Sequence, residues 1–229
     1  MKRLAIWFGI LLIWILPSST SRGDLLFEFG VGGVIKSNIE IPGPGLTVPI
    51  QVYLSQTGTT TILEDEGLAL AGIRVTFDDP TIARVRTSSD IQENSAFFVI
   101  SKDVKLEPPA EPLWAELNMM SDDIFVPVRP EGTNPNRILL GTFTFTGLAL
   151  GTTTIRVSDL DPNQDDIITG VGTVLDLISP ASATLTVTPE PGSVALSLVA
   201  LGGAAVVGVY RSRRKRRKTS TEDPPLVAV

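Results

Sequence analysis

The sequence predicts an all-β fold, a single β-sandwich, for the central part of the chain. Three observations support this prediction. Several short segments alternate apolar residues with threonine or other polar residues, clusters of Pro, Gly, Asn and Asp separate them, and no amphipathic helical pattern occurs between them. Alternation with a period of two is typical of strands that bury one face. About eight to ten short strands at this spacing favour a sandwich or jelly roll.

The predicted strands follow one another between residues 25 and 187. The clearest cover residues 46–54, 73–77, 139–146, 154–157 and 184–187. Further strands are predicted near residues 25–29, 81–86, 96–100, 113–119 and 167–177. Turn-forming residues separate them at 42–45, 78–80, 108–109, 132–136 and 161–163. In the segment 139–146, Leu139, Gly141, Phe143 and Phe145 are predicted to share the buried face.

The N-terminus has the three-part layout of a cleavable signal peptide, residues 1–21. Lys2 and Arg3 precede an apolar run over residues 4–16, which is short for a membrane span of about 20 residues. Pro17 ends the run, and small residues precede a predicted cleavage after Ser21. The alternative is an uncleaved N-terminal anchor. Both interpretations predict an exported protein.

The other end of the chain predicts a transmembrane helix over residues 192–210. This segment is apolar and uncharged, and as a helix it would be about 28 Å long, close to the hydrocarbon thickness of about 30 Å. The basic residues that follow are Arg211, Arg213, Arg214, Lys215, Arg216, Arg217 and Lys218. Cationic flanks stay in the cytoplasm, so the body is expected outside. A nucleic-acid patch is the alternative for a basic run, and the adjacent span disfavours it. Residues 219–229 are predicted to be a disordered tail.

A motif stands directly before the predicted span: Pro189, Glu190 and Pro191. This motif, an apolar helix and an Arg-rich cluster in that order resemble the PEP-CTERM sorting domain of Gram-negative and related bacteria, over residues 188–218. The resemblance implies recognition by an exosortase, an integral-membrane cysteine protease, with processing near the motif and delivery to the cell surface or extracellular matrix. The tail over residues 219–229 departs from the family pattern. The two prolines also favour an extended segment, which a protease can accept.

Composition limits the chemistry of the body, residues 22–188. Its length suits one domain with a real core. The whole chain contains no Cys and no His, which excludes disulfides, thiolate and Ser-His-Asp catalysis, and zinc bound by histidine. The body has 10 Lys and Arg against 22 Asp and Glu, a formal net charge of −12. Such a charge disfavours nucleic acid and anionic lipid and favours cation binding.

The order of the segments in the body carries a second resemblance. Residues 46–54, 72–80 (GIRVTFDDP), 140–145 (LGTFTF) and 150–155 (LGTTTI) are similar in order to the strands of cohesin-type β-sandwiches. These share a fold with a group of carbohydrate-binding modules. The similarity covers residues 46–188. It implies a cohesin-like adhesion or scaffolding module rather than an enzyme.

One acidic segment has the spacing of a calcium loop. Asp159, Asp161, Asn163 and Asp165, with Asp166 beside them, place oxygen ligands at alternate positions. The segment departs from the EF-hand pattern, which has Gly at the position of Gln164 and Glu at that of Gly170. The alternative is a solvated acidic turn. No other cofactor is expected.

The remaining candidate residues have simpler interpretations. The acidic runs at residues 64–66 and 122–123 could serve glycoside hydrolysis only if two carboxylates faced each other across a cleft, and solvated loops are the preferred interpretation. Trp114 is the only Trp of the body and is predicted to be a core residue covered by a loop. The body therefore shows no series of aromatic platforms for sugars.

Together these observations predict a non-catalytic exported protein that is membrane-anchored and then reaches the cell surface or extracellular matrix. Its sandwich is expected to mediate adhesion or assembly with extracellular polysaccharide or another surface protein. The first alternative is a carbohydrate-binding module for extracellular polysaccharide. The second is a secreted hydrolase that uses carboxylates alone.

Overall fold

The computed structural model describes residues 25–105, 113–122, 126–130, 136–161, 165–175 and 178–190. Several predictions concern residues outside these ranges. They are the signal peptide, the membrane span, the basic cluster, the tail, and the positions of Asn163 and Pro191. Within the described residues no helix has the length and apolarity needed to cross a membrane.

Fourteen strands and two short helical turns make up the described residues. The strands are β1 Leu25–Val31, β2 Val34–Ile35, β3 Asn38–Ile41, β4 Thr47–Gln56, β5 Leu68–Phe77, β6 Ala83–Arg84, β7 Ile91–Glu93, β8 Phe97–Lys105, β9 Leu113–Ser121, β10 Arg137–Gly147, β11 Gly151–Asp159, β12 Ile167–Thr169, β13 Ile178–Ser179 and β14 Ala181–Val187. The helical turns are α1 Ile62–Asp65 and a 3₁₀ turn Ser88–Asp90. The predicted all-β class is confirmed.

The strands form two sheets. The first has the order β13-β1-β4-β10-β6, with β2 on β1 and β7 on β10. The second has the order β3-β14-β11-β5-β9-β8, with β12 on β5. Most neighbours are antiparallel, but β13 pairs parallel with β1, and β14 parallel with β3. Only Pro180 separates β13 from β14. Because proline cannot donate to a ladder, it marks the point where the chain changes sheets.

The hydrophobic core lies between the two sheets. The alternation predicts one shared face for Leu46 and for the residues Val48, Ile50, Val52 and Leu54. The last four are buried in β4, but Leu46 precedes the strand and is exposed, so the prediction is wrong there. The aromatic contact between the sheets joins Phe77 of the second sheet to Phe145 of the first, with ring centroids 6.0 Å apart and an interplanar angle of 88°. This edge-to-face arrangement is the favoured geometry for two aromatic rings. The body is therefore a β-sandwich, which confirms the prediction.

The predicted inner face of β10 is wrong at Leu139. Pairing with β4 shifts between Leu139 and Gly141, so Leu140 is an extra residue in a β-bulge. Leu140 is completely buried, whereas Leu139 is only partly buried. Beyond the bulge, Gly141 faces the other sheet so closely that a Cβ atom would lie 2.6 Å from Leu117 Cδ2. A bulge changes which residues point inward, and a strict period of two misses it.

Candidate functional site

The outer face of the second sheet brings four strands together. Its residues lie in cross-strand rows set by the pairing of β8, β9, β5 and β11. The rows are Phe98, Met120 and Leu70; Ser101, Asn118 and Gly72; Asp103, Glu116, Arg74 and Ser158; and Lys105, Trp114, Thr76 and Arg156. This set of residues, together with Ile100 of β8, which lies at the register shift between Val99 and Ser101, is called the second-sheet face below. It carries an apolar row at one end and charged rows toward the other.

The apolar row lies at the edge of the sheet. Strand β8 is the last in the order of the second sheet. Phe98 is 60% exposed and Ile100 is 49% exposed. The β8–β9 register shifts between Val99 and Ser101, which makes Ile100 the extra residue of a bulge. Two large apolar side chains on one edge strand are therefore exposed close together, as in surfaces that bind other molecules.

The charged rows are held by an ion pair between neighbouring strands. The Arg74 Nε donates to Glu116 Oε1, and Asp103 lies opposite Glu116 on β8. Burial raises the pKa of the Glu116 carboxyl above its ordinary value, although the hydrogen bond and charge of Arg74 act in the opposite direction. Arg74 therefore offsets only part of the cost of burying the Glu116 carboxylate at the centre of the face.

Trp114 lies on this face and not in the core. The Arg74 guanidinium carbon lies 5.4 Å from its ring centroid, and the Lys105 Nζ lies 5.9 Å from it. On the opposite side of β9, Ala115 and Leu117 are fully buried. Alternation along β9 thus places Trp114 outward, so the predicted core position is wrong. Cation–π contacts with both basic residues hold the ring.

The acidic loop between β11 and β12 closes on the same sheet. Leu160 N donates to Gly72 O at 3.2 Å, and Gly72 N donates to Asp166 O at 2.8 Å. The Asp166 Oδ2 accepts from Asp161 N at 2.6 Å. Asp166 is buried, whereas Asp165 is exposed. Asp166 therefore closes the loop through its own side chain.

This geometry bears on the predicted calcium ligands. Asp159 ends β11, and Asp161 and Asp165 belong to the loop, while Asn163 lies outside the described ranges. Across the described part of the chain, no three acidic residues are grouped closely enough to hold a metal ion. The Asp166 carboxylate already accepts a backbone hydrogen bond. Calcium at this loop stays a prediction.

A calcium titration tests that prediction. Extracellular calcium sites bind with dissociation constants of about 10⁻⁴–10⁻³ M, so about 2 mM Ca²⁺ is expected to stabilise the folded chain by about 1 kcal/mol. The shift is measured as a rise in melting temperature. Asp161→Ala is expected to abolish the rise, and Asp103→Ala, on strand β8, is the matched control. A melting temperature that does not respond to Ca²⁺ in the wild-type chain rules the site out.

The pH dependence of stability tests the buried carboxylate of Asp166. Burial, followed by the charges of Asp161 and Asp165, raises its pKa, while the hydrogen bond from Asp161 N and the charge of Arg74 lower it. The net shift is upward. The folded state therefore holds a proton that the unfolded state has released, and this contribution is lost as the pH rises from the ordinary value of 3.8 through the folded pKa.

We expect Asp166→Asn to remove the loss of stability that the wild-type chain shows as the pH rises through the folded pKa of Asp166. Urea unfolding at several pH values between about 4 and about 7 should show a shallower decline of the unfolding free energy in Asp166→Asn than in the wild-type chain. Asp122→Asn, a change at an exposed carboxylate whose charge is not among those acting on Asp166, is the control. Equal slopes in Asp166→Asn and wild type would contradict the assignment.

Two surface pockets lie away from the charged rows. One has a volume of about 430 Å³ and is lined by Ala96, Asp122 and residues 126–130. The other has a volume of about 320 Å³ and is lined by Val31, Lys36, residues 38–40 and Val48. Neither of these pockets includes Glu116 or Asp166, the carboxylates with raised pKa values. The described lining of each pocket contains one acidic residue, Asp122 in the first and Glu40 in the second, so neither lining pairs two carboxylates.

The beginning of the predicted sorting motif follows β14 directly. Thr188 N donates to Ile41 O at 3.0 Å and so extends the β14–β3 ladder by one bond. Pro189 and Glu190 are exposed. The Glu190 side chain packs on Gly43, where its Cγ would lie 2.8 Å from a Cβ atom. The motif therefore starts on the surface of the sandwich itself.

Sequence reasoning missed the pairing of Arg74 with Glu116 and the closing role of Asp166. Arg74 lies between Ile73 and Val75 in the sequence. Because alternation predicts that these two residues are buried, it also predicts that Arg74 points outward. Its partner could not, because the pairing of β5 with β9 joins residues 42 positions apart. From the sequence, Asp166 is interpreted as a neighbour of the possible calcium ligands. Its burial could not be predicted, because it depends on how the loop folds.

No protein-family model matches the chain, and no curated protein matches it. Solved structures with a similar arrangement include a cohesin module from a Clostridium perfringens family 33 glycoside hydrolase, at 12% identity and a TM-score of 0.47, covering 75% of this chain and 100% of that module. They also include a type I cohesin–dockerin complex from Clostridium thermocellum, at 10% identity and a TM-score of 0.46, covering 72% and 99%.

A type II cohesin domain from the Acetivibrio cellulolyticus cellulosome matches at 12% identity and a TM-score of 0.43, covering 70% of this chain and 95% of that domain. These structures belong to the class of sandwich that the sequence resembles. At such values of identity and TM-score, the similarity assigns neither a family nor a partner to this chain.

Proposed function

We propose that the chain is a non-catalytic adhesion or assembly module that binds another surface protein through the second-sheet face. The observation that carries this proposal is the pair of exposed side chains Phe98 and Ile100 on edge strand β8. Together with the half-buried Met120 and Leu70 they make an apolar patch beside charged rows. Protein interfaces combine such an apolar centre with a polar surround.

The chemistry of the face favours a protein over a polysaccharide. The Trp114 ring already makes cation–π contacts with Arg74 and Lys105. The charged rows contain no second aromatic side chain that could add a platform for a sugar. The charged rows contain both signs, since Asp103 and Glu116 lie beside Arg74 and Lys105. The expected partner offers an apolar side chain to the patch and charged groups to the rows. A carbohydrate-binding module remains the first alternative, and a glycan array tests it.

The ends of the chain support export and sorting as the second part of the proposal. The resemblance of residues 188–218 to a PEP-CTERM domain supports processing by an exosortase-type enzyme. In the structure Pro189 and Glu190 are exposed just after β14, which gives a protease access to that side of the motif. The chain would be held in the membrane by residues 192–210 and then delivered to the cell surface.

A secreted hydrolase that uses carboxylates is less well supported. Glu116 and Asp166 have raised pKa values, as a general acid needs. However, Glu116 is paired with Arg74, and Asp166 accepts a hydrogen bond from Asp161. Both carboxylates are thus used by the fold. Turnover of a polysaccharide by the purified chain would restore this alternative.

Photo-crosslinking on intact cells tests the proposed face. A photo-reactive amino acid in place of Phe98 is expected to give an adduct with a distinct protein, identified by mass spectrometry. The matched control is Val34, on β2 of the first sheet, which is also 60% exposed. Phe98→Asp should lower partner binding severalfold without unfolding the chain, because the side chain is at the surface. Equal adducts from both positions, or none from position 98, would contradict the proposal.

A further inference from the structure

The point at which the chain leaves the sandwich is fixed by contacts with the body. Val187 lies opposite Ile41 in the parallel β14–β3 pair, and Thr188 N donates to Ile41 O. Two residues later the Glu190 side chain packs on Gly43, in the turn between β3 and β4. The chain therefore stays on the surface of the sandwich at least to Glu190.

Very little chain separates this exit from the predicted membrane span. The apolar segment begins at Gly192, two residues after Glu190. An extended chain covers about 3.4 Å per residue, so these two steps reach at most about 7 Å. The polar layer on each side of the hydrocarbon is about 5–8 Å thick. If residues 192–210 span the bilayer, the exit end of the sandwich must lie at the bilayer surface.

Among the described residues, two uncharged turns lie at this end of the sandwich. They are residues 42–46 (PGPGL) and residues 147–151 (GLALG), called the exit-end turns below. Gly45 N donates to Gly147 O at 2.7 Å, and Gly147 N donates to Leu46 O at 2.9 Å, so the turns are in contact. Leu46 is 42% exposed and Leu150 is 55% exposed. Both turns lack charged residues, although the body as a whole has a formal net charge of −12.

Two acidic residues beside these turns, Asp78 and Asp79, accept hydrogen bonds from neighbouring residues. The turn after β10 contacts the loop that carries Asp78 and Asp79, since Leu148 N donates to Ile82 O at 2.7 Å. Asp78 Oδ2 accepts from Arg156 Nη2 at 2.9 Å. The Asp79 Oδ1 accepts from Thr81 N at 2.9 Å. These pairs form a polar margin around the apolar end and limit its repulsion from lipid head groups.

We propose that the exit-end turns rest on the bilayer that holds residues 192–210, with Leu46 and Leu150 at the boundary between head groups and acyl chains. This inference depends on the proposed membrane anchor. Two exposed leucines bind lipid weakly on their own, but a short tether gives them a high effective concentration at the surface. The occupant of this apolar end is therefore the lipid bilayer.

The proposed orientation also places the partner site away from the membrane. Along β5, Phe77 pairs with Ile155 toward the exit end, and Leu70 pairs with Met120 at the other end. The seven steps between Leu70 and Phe77 correspond to about 23 Å. The strands would run away from the bilayer surface, and Phe98 and Ile100 would lie at the distal end of the second-sheet face. The membrane contact and partner binding can then occur together.

Site-specific fluorescence quenching tests this orientation, because the chain has no native Cys and each introduced Cys is unique. The full chain is reconstituted in phosphatidylcholine vesicles with a fluorophore on Leu46→Cys, Leu150→Cys, Val171→Cys or Ala200→Cys. Val171 is the matched control, since it is 71% exposed in the turn after β12, at the opposite end of the sandwich. The quenchers are nitroxide groups carried on the lipid chains.

We expect labels at positions 46 and 150 to be quenched severalfold more than the label at position 171. The label at position 200 reports on the anchor by itself. Quenching at 200 combined with equal, weak quenching at 46, 150 and 171 would overturn the orientation and leave the anchor intact. A label at 200 that is not quenched would overturn the anchor and the orientation with it. Self-quenching between labelled copies at 46 or 150, without lipid quenching, would assign this end to a dimer and also overturn the proposal.

Discussion

Replacing Phe145 with alanine is expected to lower the free energy of unfolding by about 3–5 kcal/mol. Phe145 is completely buried on β10, and its ring meets Phe77 of the opposite sheet edge to face. The substitution removes buried apolar surface and leaves a cavity between the two sheets, which close-packed neighbours fill only in part. Because domains of this kind are stable by about 5–15 kcal/mol in total, such a loss is a large share of the stability.

The same substitution at the surface provides the control. Phe98→Ala removes a side chain that is 60% exposed, so its effect on unfolding is expected to stay within about 0.5 kcal/mol. Urea unfolding followed by tryptophan fluorescence gives both values. Similar losses for Phe145→Ala and Phe98→Ala would mean that the two sheets do not pack through Phe145 as described.

Most of the sandwich could be predicted because its long strands carry their own pattern. The alternation of Val48, Ile50, Val52 and Leu54 matches their burial in β4. Threonines also mark the outer side of β10, β11 and β14, at Thr142, Thr144, Thr154, Thr184 and Thr186. Thr146 and Thr153 are exceptions, because both are buried. In each of these strands one side faces the core and the other faces water. The alternation of apolar and polar residues therefore predicts which side chains are buried.

Other parts depend on pairing that a local pattern cannot record. Strands β2, β3, β7 and β13 have two to four residues, which is too short for a period to be visible, and they form because a longer neighbour offers its edge. The bulge at Leu140 is similar. Leu139 and Leu140 are chemically identical, and the pairing of β10 with β4 decides which one points inward.

The second-sheet face also has features that local sequence predicts and features that depend on strand pairing. The outward positions of Arg74 and Thr76 follow from alternation with Ile73, Val75 and Phe77. The ion pair with Glu116 and the cation over Trp114 exist because β5 lies beside β9. The strand at residues 113–119 is predicted, but Trp114 is assigned to the core because it follows a proline-rich stretch, and its outward position in β9 is missed. Local sequence therefore gives the faces of the strands, and tertiary pairing gives the site.

Replacing Pro189, Glu190 and Pro191 together with alanine is expected to leave the chain at full length in the membrane. A span of the length and apolarity of residues 192–210 partitions into the bilayer, and the cations of residues 211–218 resist transfer through it. The structure adds that Pro189 and Glu190 are exposed at the exit from β14. The alanine variant keeps the proposed anchor and loses the proposed recognition motif, so processing should stop while export continues.

Membrane fractionation, with mass spectrometry of the mature C-terminus, measures this result. The matched control replaces Thr219, Ser220 and Thr221 with alanine, a change of three residues beyond the basic cluster, and should be processed like the wild-type chain. Neutralising residues 211–218 should have a different effect, because it weakens retention and mixes the two orientations without altering the motif. Wild-type surface protein that still carries Val229 would show that no processing occurs. The C-terminal segment would then be a permanent anchor, and the sandwich would remain held at the bilayer through β14.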